Sequence, residues 1–63
     1  MCLSSVYRGE IADDNLLLNN VQRIECSNGT VTLTDILERQ VSIAGSVVMA
    51  DLTAGKVVVA PAP

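Results

Sequence analysis

The thiol at position 2 is the side chain in this sequence best placed to do chemistry. The α-amino nitrogen of Met1, the amide nitrogen of Cys2 and the sulfur of Cys2 are spaced to close two fused five-membered rings around one metal ion. Such a donor set is strong-field and favours planar coordination. It suits Ni(II) or Cu(II), whereas structural Zn(II) prefers tetrahedral sites. One cysteine per chain cannot give a four-coordinate site two thiolates, but two chains meeting near their N-termini could share a single metal. The small side chain of Cys2 also permits removal of Met1. The free amine would then belong to Cys2 itself and still form a five-membered N,S chelate. On residue type alone, Cys2 reads first as a small, half-buried strand residue, since cysteine is among the most buried types.

Few other residues compete for a chemical role. The chain has no histidine, which removes the usual general base, the usual triad member and the commonest metal ligand. Its glycines, at positions 9, 29, 45 and 55, match neither a dinucleotide fingerprint nor a P-loop. An enzyme is not expected. Asp13 and Asp14 are adjacent carboxylates in a polar stretch and read as a solvated turn. Two cysteines are too few for a disulfide framework, and a reducing cytosol would keep both as thiols; a Cys2 to Cys26 bridge is the alternative that the count allows. Seven acids against four bases give a net charge of -3, so the mean field repels phosphate and nucleic acid is a poor partner. No apolar run approaches the ~20 residues that span a bilayer, and the N-terminus lacks the pattern of a signal peptide. A cytoplasmic protein with no membrane role is expected.

The elements that must carry Cys2 are short. A chain of 63 residues forms one domain, and a core below roughly 70 residues seldom supplies more than ~3–5 kcal/mol. Self-association is therefore the first expectation. Apolar residues make up 49% of the sequence, yet Tyr7 is the one aromatic, so the core must be aliphatic. Runs rich in Val, Ile, Leu and Thr alternate with turn signals and never hold helical spacing over several turns, which predicts an all-β fold. Candidate strands are Cys2 to Tyr7, Leu16 to Leu18, Val21 to Ser27, Thr30 to Thr34, Arg39 to Ile43, Val47 to Leu52 and Val57 to Ala60.

Asn28-Gly29 is the strongest turn signal, because a two-residue type I′ turn needs φ > 0 at both positions. It sets Ser27 opposite Thr30, Cys26 opposite Val31, Glu25 opposite Thr32 and Ile24 opposite Leu33. Ile24, Cys26, Val31 and Leu33 then share one face, which places Cys26 in the core. A second hairpin is expected to turn at Ala54-Gly55, pairing Leu52 with Val57 and Ala50 with Val59. Both of its faces are apolar, so a second copy of the chain is the expected cover for one of them. Gly9 to Asn15 and Asp35 to Glu38 read as loops. The single domain is expected to span residues 1–60, with Pro61-Ala62-Pro63 as a frayed tail.

The opening Met1-Cys2-Leu3 with Val6-Tyr7 resembles the start of the CooT-like family of small nickel-binding proteins. The likeness continues through Val21-Gln22-Arg23-Ile24-Glu25, the Asn28-Gly29 turn, Val31-Thr32-Leu33-Thr34-Asp35-Ile36, Arg39-Gln40 and the Val-rich hairpin from Val47 to Ala60. Where the family pattern has an aromatic and a glycine after Asp35-Ile36, this chain has Leu37 and Glu38. The resemblance implies a small SH3-like or Sm-like barrel of about five to seven antiparallel strands. It further implies a homodimer binding Ni(II) through Cys2 of each chain near Met1, with a role in nickel handling or supply to a nickel enzyme such as carbon monoxide dehydrogenase or its maturation proteins. Family members have also been labelled predicted RNA-binding proteins, so an RNA-binding or protein-interaction module without a metal role is the alternative. Four scattered bases and one aromatic give the RNA version little support.

Overall fold

Valine, isoleucine and threonine crowd this chain into extended backbone, and the computed structural model, which describes residues 3–63, places them in five strands. These are β1 (Ser4–Arg8), β2 (Leu16–Ser27), β3 (Thr30–Asp35), β4 (Gln40–Asp51) and β5 (Lys56–Pro61), with one 3-10 turn at Asp13–Asn15. Each strand pairs with the next, and β5 returns to β1 to close a barrel. An odd number of strands in a meander leaves the first and last running the same way. Closure is accordingly parallel, with Val6 beside Val57 and Tyr7 beside Val58, while the other four junctions are antiparallel.

Two long strands serve both sides of the barrel. The stretches Leu16 to Leu18 and Val21 to Ser27, expected as separate strands, are one. The register of β2 slips between its β1 and β3 partners, and Asn20 takes φ 54° within the bend; bulges of this kind turn a strand through a corner. Arg39 to Ile43 and Val47 to Leu52 likewise belong to one strand. Its first half pairs with β3 and its second half with β5, and the change of partner falls at Gly45, where φ is +154°. Inside lie Val6, Val21, Val31, Leu33, Val57 and Val59, bordered by Leu17, Leu18, Ile24, Ile43 and Val47. The core is aliphatic, as the composition requires.

The first hairpin has the register that Asn28-Gly29 dictates, with φ 50° and 76° at the two turn residues. Cys26 does pair with Val31, but its side chain is an exposed free thiol and not part of the core. The alternation finds the right face without saying how far the core extends along it. β1 accompanies β2 only as far as Val21, so nothing in β1 reaches Cys26.

The second hairpin departs from expectation. Its ladder sets Ala50 opposite Val57 and Val47 opposite Val59, and Leu52 lies in the turn. Ala54, the first residue of the expected Ala54-Gly55 turn, does not readily supply the positive φ that a two-residue turn needs there. The chain instead uses four residues, 52–55, with Ala54 N–H donating to Asp51 Oδ1 at 3.0 Å and Gly55 at φ 71°. A register slip between Val47 and Met49 then packs Val47 against the core and leaves Val48 58% exposed. The outer side is partly covered within one chain: Val58 is buried, and its ladder neighbours Tyr7 and Met49 are half-buried. Nor does the ladder stop at Ala60 as expected, since β5 includes Pro61 opposite Gly45 and Ala62 N–H donates to Ala44 O at 2.8 Å.

Candidate metal centre and its surroundings

Met1 and Cys2, the residues that the sequence nominates as ligands, lie outside the described residues. The description begins at a half-buried Leu3, immediately before β1. That start is held on both sides. Ser4 pairs with Val21 of β2, Ser5 pairs with Lys56 of β5, and Ser5 N–H donates to Gly55 O at 2.8 Å. Ser5 Oγ also donates to Asn19 Oδ1 at 2.6 Å. Ser4 lines a groove of about 360 Å³ at the same end of the barrel, whose walls include Ile24, Val47, Ala50, Leu52 and Val57. Leu52 is 70% exposed there, so the first strand opens beside an apolar surface.

The other candidate residues stand apart. Cys26 is five residues along β2 from Val21, the partner of Ser4, which is about 16 Å of strand. It faces a different cleft, shared with Gly29, Gly45 and Val47. Asp13 and Asp14 are exposed in their 3-10 turn, the solvated arrangement expected of them. Among the described residues no three His, Cys, Asp or Glu side chains converge to hold a metal.

Sequence reasoning missed Asp35, taking it for the start of a loop. Its carboxyl is fully buried at the end of β3, on the opposite side of Val21 from Ser4. Oδ1 accepts the backbone N–H groups of Leu37 and Arg39, each at 2.9 Å, and Oδ2 accepts Arg39 Nε at 2.7 Å. The backbone closes the same loop, because Asp35 N–H donates to Arg39 O and Glu38 N–H to Asp35 O. Burial alone would raise the Asp35 pKa. The Arg39 N–H, the guanidinium hydrogen bond, the Leu37 N–H and the Arg39 charge outweigh it and hold the carboxyl below its ordinary range. Two signals could have found this residue. Val31, Leu33 and Asp35 alternate onto the inner face, and an arginine follows four residues later.

The loop is also tied to β2. Ile36 N–H donates to Asn20 O at 2.9 Å, and Gln22 Nε2 donates to Glu38 Oε2 at 3.0 Å. Glu38 sits at φ 65°, a left-handed conformation that costs a non-glycine residue free energy. It stands where the resemblance noted in the sequence leads one to expect a glycine. Glu38→Gly should therefore stabilise the fold by about 0.5–1 kcal/mol, measured as a higher urea midpoint at unchanged slope. A lower midpoint would mean that the Gln22 hydrogen bond outweighs the backbone strain.

Three comparisons bear on this arrangement. The family model described as CO dehydrogenase accessory protein CooT matches residues 1–60. No curated protein matches. Among solved structures, one assigned to CooT from Carboxydothermus hydrogenoformans superposes with a TM-score of 0.85 at 14% identity, covering 98% of this chain and 100% of that one. At that identity the likeness bears on the fold.

Proposed function

The chain belongs to the CooT family of CO dehydrogenase accessory proteins, and from that premise we propose that it is a non-enzymatic nickel-handling protein that serves CO dehydrogenase maturation. Its cargo is one Ni(II), held by a homodimer through the Cys2 thiolate of each chain with backbone or terminal nitrogens from Met1 and Cys2. The observation that supports this reading is the apolar groove beside the start of β1, which begins two residues after Cys2 in the sequence.

The donor set fits the cargo. A thiolate beside an amine or amide nitrogen is a strong-field chelate, and softness and planarity favour Ni(II) over Mg(II) or Ca(II). The role of the barrel is to hold the first strand rigidly from Ser4 onward and to offer an apolar surface on which a second copy can seat. Together these would bring two N-termini to one metal.

Titration with Ni(II), followed by thiolate-to-metal charge-transfer absorption, tests the proposal. The expected result is saturation at one metal per pair of chains, with the absorption abolished in Cys2→Ser and retained in Cys26→Ser. Sedimentation under the same conditions should show a dimer. Equal binding by wild type and Cys2→Ser would end the proposal.

A further inference from the structure

The second half of β2 has a neighbour on one side only. β1 accompanies β2 no farther than Val21, so among the described residues 22–27 pair with β3 alone. The Asn28-Gly29 turn settles which backbone groups are left over. A two-residue turn makes Ser27 and Thr30 a hydrogen-bonded pair, and bonded and non-bonded pairs alternate along an antiparallel ladder. Cys26 opposite Val31 and Ile24 opposite Leu33 are therefore non-bonded pairs. Their N–H and C=O groups point away from β3, along an edge of the kind that takes up another strand. Two charges stand on the same stretch. Arg23 and Glu25 are both exposed, and neither belongs to the one ion pair among the described residues, Asp35 with Arg39.

We infer that residues 22–26 of β2 pair antiparallel with the same residues of a second copy, about a twofold axis at Ile24. Twofold symmetry makes the edge its own complement, and two registers fit within 22–27 while bringing the free backbone groups face to face. Centred on Glu25, the pairing sets two carboxylates directly opposite each other, which is destabilising. Centred on Ile24, it sets Arg23 opposite the partner's Glu25 and Glu25 opposite the partner's Arg23. Both are non-bonded positions, where cross-strand side chains stand closest. Ile24 then meets the partner's Ile24 on the side of the sheet that walls the apolar groove beside Ser4. The inference rests on the homodimer of the reading above and gives it an interface, without making use of the metal.

The test is sedimentation equilibrium of the full chain with a chelator present, so that nickel plays no part. Wild type should dimerise. Arg23→Glu and Glu25→Arg each place like charges opposite one another at two points and should raise the dimer Kd about tenfold or more. The double variant Arg23→Glu/Glu25→Arg restores both attractions and should return Kd to within about threefold of wild type. Far-ultraviolet circular dichroism checks that each variant keeps the fold. Single variants that dimerise like wild type, or a double variant as weak as either single, would overturn the inference. So would a wild type that stays monomeric without metal up to about 1 mM. Nickel titration of the same proteins keeps the two readings apart. One metal per pair of chains with no response to the charge reversals leaves the nickel reading standing and removes this interface. Dimers that obey the charge swap and take up no nickel do the reverse.

Discussion

Gly45→Ala is expected to leave the chain largely unfolded. A Cβ at this position would overlap Ala60 O and lie 3.0 Å from both Ala60 C and Pro61 Cα. All three atoms are backbone, in the strand to which Gly45 is paired, so no side-chain rotation relieves the overlap. φ at +154° is also a region that side chains rarely adopt. Overpacking and backbone strain together cost roughly 2–6 kcal/mol, against a total of about 3–5 kcal/mol for a core of this size. Displacing β5 would further disturb the Ala62 N–H to Ala44 O bond, and moving Gly45 instead would strain its N–H to Gly29 O bond at 2.8 Å. Far-ultraviolet circular dichroism and urea unfolding decide the matter. A Gly45→Ala protein with an unchanged midpoint would show that the corner can open at little cost.

The second large effect concerns Asp35 and acid. Asp35→Ala should lower the melting temperature most at neutral pH, and the difference from wild type should shrink as the solution is acidified. The sign follows from the lowered pKa. A carboxyl that ionises more readily folded than unfolded stabilises the fold fully above its unfolded value of about 3.9. That contribution is lost as the pH falls through the folded value. Protonated or truncated, the carboxyl no longer accepts all three hydrogen bonds, and the Leu37 and Arg39 N–H groups must find other partners. Asp35→Asn keeps the shape without the charge and should fall between the two. Melting curves for the three proteins across acidic and neutral pH check this, and parallel profiles would rule out ionisation of Asp35 as the cause.

Much of the fold is legible in the residues, for identifiable reasons. Asn28-Gly29 fixes a register because few other pairs tolerate its turn, and aliphatic alternation names the inner faces. The second hairpin misleads because Thr53-Ala54-Gly55 carries no comparable signal, and because a register slip within β4 changes which of its valines face inward. Cys26 misleads for a different reason, since periodicity reports a face and not the depth of the core behind it. Of the candidate site, the donor chemistry of Met1 and Cys2 is readable from covalent structure alone. The buried clamp at Asp35 is not, because its strength depends on the way Arg39 folds back over the turn.

The parallel junction between β1 and β5 has a practical consequence for handling the protein. Ser5 lies beside Lys56 at the start of β5, whereas Pro61 ends that strand, about 16 Å farther along. The start of β1 and the end of β5 therefore lie at opposite ends of the barrel. An affinity tag or fluorophore attached after Pro63 leaves the amine of Met1 chemically free, while one attached before Met1 consumes that amine. A circular permutant would need a linker that spans the full height of the barrel.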